Sequence, residues 1–151
     1  MKKPSKPLEY ALKLLGQRSY SEKKLQEKLA RREIQTGEIE RVLAKLKELG
    51  FIDDYKFACA FIESAQNIRL TGQRKIYWQL IKKGISAEVA KEALEKSYQS
   101  ESEEEVVRQI IKKLARHVPP EKLYERLTRR LLARGFDYQI VKAEVKRYLR
   151  G

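Results

Sequence analysis

Twelve basic side chains carry the clearest chemistry in this chain. Lys24, Lys28, Arg31 and Arg32 fall in one helical stretch, Arg74, Lys75, Lys82 and Lys83 in a second, and Arg126, Arg129, Arg130 and Arg134 in a third. Steps of three and four residues put many of each set on one side of a helix, opposite or beside an apolar stripe. Ammonium and guanidinium groups arranged in this way make charge-assisted hydrogen bonds to phosphate oxygens. A ladder of them follows a phosphate backbone. Solvated faces of any basic helical protein would look similar one at a time; recurrence at the same place in three repeats favours a binding role. The net charge of +13 agrees, with +6, +2 and +5 in residues 1–50, 51–100 and 101–151. Such a field attracts polyanions, and nucleic acid is the commonest inside a cell. Tyr77, Trp78 and Tyr124 lie near the clusters and have rings able to stack on bases, but their helical spacing predicts core or inter-repeat packing.

Nothing comparable points to catalysis or a cofactor. His117 is the only histidine, set beside Pro119 and Pro120 in a predicted loop, and no second His or Cys stands ready to share a metal with it. Cys59 shares a helix face with Tyr55 and Ile62, which predicts packing rather than nucleophilic chemistry. The glycines occur singly, without a phosphate-cradling loop followed by Lys-Ser or Lys-Thr. Glu101, Glu103, Glu104 and Glu105 stand at a predicted helix start, where the positive end of the helix dipole accounts for acids better than a metal does. The expectation is a protein that is not an enzyme and takes no metal or cofactor. One cysteine forms no internal disulfide, and no stretch approaches the roughly 18 apolar residues of a membrane span. A cytoplasmic location with no membrane partner is expected.

The elements that hold these side chains follow from a repeat. Leu25, Ile76 and Leu127 are spaced by 51 residues, and so are Leu29, Leu80 and Leu131. The same shift carries Ile34 to Ile85 to Phe136, and Gly84 to Gly135. A period of this size marks a tandem array of supersecondary units. Apolar spacing is helical nearly throughout, as in Ile39, Val42, Leu43, Leu46 and Leu49, and no useful segment alternates like a strand. The fold class expected is all-α: three tandem three-helix repeats forming an elongated, curved array. Punctuation predicts helices at 8–16, 21–32 and 37–49, then 54–67, 72–83 and 87–98, then 103–116, 120–133 and 138–149. Ser21, Thr36, Asp53, Thr71, Ser86 and Ser102 are the expected caps, Gly50, Gly84 and Gly135 the terminators, and Pro120 a first helical residue. Ser102 with Glu105 reads as a capping box. Residues 1–7 are expected to be a disordered basic tail, followed by repeats over 8–51, 52–100 and 101–151.

The stretch Leu49-Gly50-Phe51-Ile52-Asp53-Asp54-Tyr55-Lys56-Phe57-Ala58, continuing to Phe61-Ile62, resembles the signature of the RecX family of regulatory proteins. Gly72 to Gly84, Arg134-Gly135-Phe136-Asp137-Tyr138 with Ile140, and the opening Ala11-Leu12 to Leu29 are similar to that family as well. The likeness covers roughly residues 8–150, and the central stretch is its specific part. Glu33, standing where the later repeats have glycine, departs from the pattern. The resemblance implies three tandem three-helix repeats. It also implies a partner, the RecA recombinase and its filament on single-stranded DNA, with inhibition of ATP hydrolysis, strand exchange or filament growth and no catalysis. A monomer that also touches the DNA phosphate backbone is expected. The alternative is a helical protein that binds DNA without sequence preference.

Overall fold

In the computed structural model, which describes residues 6–99 and 102–151, the chain is all-helical among the described residues. The first unit contains α1 (Lys6–Gln17), α2 (Glu22–Ala30) and α3 (Thr36–Glu48). The second has α4 (Asp54–Asn67), α5 (Gln73–Lys82) and α6 (Ala87–Ser97). The third has α7 (Glu103–Ala115), a 3-10 turn at Pro120–Lys122 running into α8 (Leu123–Ala133), and α9 (Tyr138–Leu149). The main helix pairings all fall within a unit, so the molecule is a tandem helical array.

Each unit has its own core. Leu25, Leu29 and Leu46 centre the first, Ile62, Ile76 and Leu80 the second, and Val107, Ile111, Leu127 and Leu131 the third. Leu29, Leu80 and Leu131 are each 0% exposed, as the 51-residue spacing requires. Short helices of this kind are held by the burial of one face rather than by propensity. Fully burying a leucine side chain contributes about 1.5–3 kcal/mol.

Helix ends mostly follow their local signals. Ser21, Asp53, Ser86 and Ser102 accept from backbone N–H groups three residues on, at 3.1–3.3 Å. Asp137 caps α9 through Gln139 and Ile140. Two expected caps are displaced. Thr36 is the first residue of α3, preceded by Gln35 without a side-chain cap bond, and Gly72 rather than the buried Thr71 precedes α5. The capping box is half formed: Ser102 accepts from Glu105, whose carboxylate turns to Arg108 at 2.6 Å. Arg108 also reaches the buried Glu144 at 3.0 Å, tying α7 to α9. The expected tail differs too. Lys6 and Pro7 belong to α1, and residues 1–5 lie outside the described residues.

Gly50, Gly84 and Gly135 take left-handed φ values of 78°, 90° and 89°, which close α3, α5 and α8. Glu33, which occupies the same place after α2, is also left-handed at φ 59°. Its departure from glycine therefore does not change the end of the helix. The difference lies outside: a Cβ on Gly84 would meet Lys23 Cβ at 2.7 Å, and one on Gly135 would meet the Lys75 backbone nitrogen at 2.9 Å. Each of these contacts belongs to a preceding unit. Glu33 is exposed.

Candidate nucleic-acid interface

The basic middle helices α2, α5 and α8 are joined end to end. Ser21, the N-cap of α2, donates its hydroxyl to the carbonyl of Lys83, the C-cap of α5. One repeat later, Gly72 at the start of α5 donates its N–H at 2.6 Å to the carbonyl of Arg134, the C-cap of α8. Both pairs are 62 residues apart. The positive end of each helix dipole thus faces the negative end of the next unit's middle helix. The three helices, of 9, 10 and 11 residues, amount to about 45 Å of contour at 1.5 Å per residue.

A second element repeats at each seam. The Asp54 carboxylate, at the first turn of α4, accepts from the Glu22 N–H at the start of α2, 2.9 Å away. Glu103, at the first turn of α7, accepts in the same way from the Gln73 N–H of α5 at 3.0 Å. An acid borrowed from the following unit thus satisfies one of the free donors of a helix N-terminus. This revises the sequence reading of the acidic run: Glu103 serves the neighbouring helix start, and Glu105 pairs with Arg108. Glu101 lies outside the described residues. Burial raises the Glu103 carboxyl above its ordinary range, against hydrogen bonds from the Gln73 and Asp137 backbones.

The twelve basic residues divide on this frame. Lys24, Lys75 and Arg126 recur at intervals of 51, each immediately before the first buried residue of its helix stripe, so they occupy one flank of all three helices. Lys28 and Arg31 continue that flank on α2, Lys82 on α5 and Arg130 on α8, at steps of three, four or seven residues. Lys24, Lys28 and Arg31 converge with Lys83 of the next unit around a single cavity. Arg74 and Arg129 are exposed on the outer side of their helices.

Some of the twelve, Lys75 and Lys83 among them, also make contacts within the fold. Arg32 stacks on the Tyr10 ring at 4.0 Å, Arg134 donates to the Arg69 carbonyl at 3.2 Å, and Lys75 reaches the Ala133 carbonyl at 3.3 Å. Lys83 lies over Phe61 at 5.4 Å. Sequence spacing groups these residues with the rest because it records the helix face but not what abuts the helix end.

Of the three aromatics, Tyr77 packs against the second core as expected, whereas Trp78 and Tyr124 depart from expectation. Trp78 is 58% exposed on the solvent side of α5, with Tyr77 edge-on to it at 5.1 Å, and Tyr124 is exposed as well. Trp78 lies two positions beyond the buried Ile76, about 200° around the helix, and so points away from the core. His117 is exposed in its loop, and Cys59 is half-buried beside the second core. No helix among the described residues is long and apolar enough to cross a membrane.

Comparison with known proteins matches this architecture. Residues 8–46 fit the family description "RecX, first three-helix domain", and residues 53–94 fit "RecX, second three-helix domain". A regulatory protein RecX from Prosthecochloris aestuarii is 31% identical over 142 residues, covering 91% of this chain and 89% of the relative. One from Clostridioides difficile is 32% identical over 142 residues, covering 92% and 66%. The crystal structure of RecX from Lactobacillus salivarius aligns with a TM-score of 0.82 at 26% identity, over 96% of this chain and 95% of that one. Several curated relatives are longer, and the chain spans between 52% and 66% of their length. With both domain models placed in order and a relative aligned along nearly its whole length, the chain belongs to the RecX family of regulatory proteins.

Proposed function

We propose that the chain binds the RecA recombinase and its nucleoprotein filament on single-stranded DNA, and thereby restrains ATP hydrolysis, strand exchange or filament growth. The observation that carries this reading is the basic flank repeated on three end-to-end helices in a chain of the RecX family. A surface of that length spans more than one site on a repeating partner, and its cations supply phosphate contacts. The chain acts as a monomer in the cytoplasm, in recombination, repair and the SOS response. It needs no chemistry of its own, because binding one filament state more tightly than another shifts the equilibrium between them. Unaided DNA binding without sequence preference is the alternative, resting on the same cations.

The test is steady-state ATP hydrolysis by the recombinase on single-stranded DNA with increasing amounts of this protein. Inhibition at equimolar or lower ratios is the expected result. It should weaken when Lys24, Arg126 and Arg130 are replaced together by Ala, with helix content unchanged by circular dichroism. A recombinase indifferent to the parent protein removes the regulator reading and leaves DNA binding.

A further inference from the structure

Two cavities meet at the junction of the first and second units, and their chemistry is opposite. One, of about 250 Å³, is lined by Arg18, Lys24, Lys28, Arg31 and Lys83. Its one acid, Glu27, is paired with Lys24 at 3.4 Å, so the cavity keeps a strong positive excess. The other, of about 470 Å³, is lined by Phe51, Phe57 and Phe61, and its charges, Lys56 and Asp53, balance. Tyr20 and Phe57 line both cavities and so form the wall between them. Cations already lie on these rings: Arg18 over Tyr20 at 4.9 Å and Arg69 over Phe61 at 4.7 Å. Phe51 is 54% exposed although its neighbour Ile52 closes the core of the first unit, so core packing does not account for its ring.

We infer that this paired site takes a nucleotide of a single strand, its phosphate in the basic cavity and its base against the Phe51 side of the aromatic one. The inference rests on the reading of the basic flank as a DNA-binding surface and names the point where bases, as well as phosphates, are held. A phosphate has no use for a neutral aromatic slot. A duplex keeps its bases stacked inside and presents phosphates alone. An unpaired base offers a flat π-face that stacks on an aromatic ring whatever its sequence, while the adjoining cations hold the backbone. A cavity of this size accommodates a planar ring system.

The experiment measures anisotropy of fluorescein-labelled oligothymidylate, and of a duplex of the same length, with the full chain. Phe51→Ala should weaken single-strand binding by about fivefold or more, the worth of one stacked base, and leave duplex binding within about twofold. Phe51→Trp should restore single-strand binding. Lys24→Ala with Lys28→Ala should weaken both, because they serve the phosphate. Equal single-strand affinity in parent and Phe51→Ala overturns the inference while the phosphate reading stands. So does competition by polyglutamate as effective as by unlabelled oligothymidylate, which would make this an acidic-peptide site. Failure of the parent to bind either nucleic acid removes both readings together.

Discussion

The two seams between units make the same joint with different materials. At the first, side chains act as spacers. The Ser21 hydroxyl bridges to the Lys83 carbonyl, Asp54 reaches the Glu22 N–H, and Lys47 braces Glu22 with a 2.6 Å ion pair. At the second, backbones touch directly. Gly72 donates its own N–H to Arg134 and lies against the backbone of Gly135 and Phe136, leaving no room for a Cβ. Leu70 crosses into the third core, and Arg134 and Lys75 return hydrogen bonds across the joint. One side chain at the start of the middle helix, Ser21 or Gly72, thus sets how closely two units approach. At position 21 the first joint can adjust by rotating a side chain, whereas at position 72 the second has only backbone to move.

The largest effect expected from breaking this contrast is at Gly72. Its φ of −76° suits any residue, so Gly72→Ser tests the seam alone, free of backbone strain. If the second joint is truly backbone-tight, the cost approaches the upper end of overpacking, about 3 kcal/mol, and hydrogen exchange in α8 rises with it. A serine tolerated as well as Ser21 is would show that the two seams are interchangeable. The effect at the first seam is smaller. Ser21→Ala removes a helix cap, typically about 1 kcal/mol, and one inter-unit hydrogen bond of about 0.5–1.5 kcal/mol. Urea denaturation should show a loss of roughly 2 kcal/mol. A loss confined to the cap alone would mean that the Lys83 contact adds nothing.

Much of this architecture is legible in the sequence because it depends on short-range pattern. The buried Leu29, Leu80 and Leu131, the caps at Ser21, Asp53, Ser86 and Ser102, and the terminating glycines all follow from helical period and local hydrogen bonding. The seams are not legible. They join positions 30 to 62 residues apart, each through at least one main-chain group, which every residue possesses, so only Ser21, Gly72 and the acids Asp54 and Glu103 leave a trace. Thr71 and Gly72 are comparable as intrinsic caps, and the close approach of the third unit requires a residue with no side chain at position 72. The same limit applies to the site. Spacing places Lys24, Lys28 and Arg31 on one flank, but their convergence with Lys83 and the aromatic wall of Tyr20 and Phe57 depends on the joint between units.

The smallest and most specific prediction concerns Glu103, the acid of the second seam. Burial raises its carboxyl above the ordinary value, although the Gln73 N–H it accepts favours the ionised form. Between the ordinary glutamate range, near 4.5, and the raised value, the folded chain therefore binds more protons at this site than the unfolded one. Stability rises wherever the unfolded state binds more protons, so here it falls as pH increases through that window. The contribution is present in full below the unfolded value and is lost once pH passes the folded one. Glu103→Gln keeps an oxygen able to accept from Gln73 and removes the charge. The variant should match or exceed the parent above the window, by about 1 kcal/mol at most, the net worth of a single hydrogen bond. It should also lose the pH slope assigned to this site. The measurement is urea stability of parent and variant at several pH values from 4 to 8. A variant less stable than the parent at neutral pH would show that the carboxylate charge itself, facing the positive end of α5, holds the second seam closed.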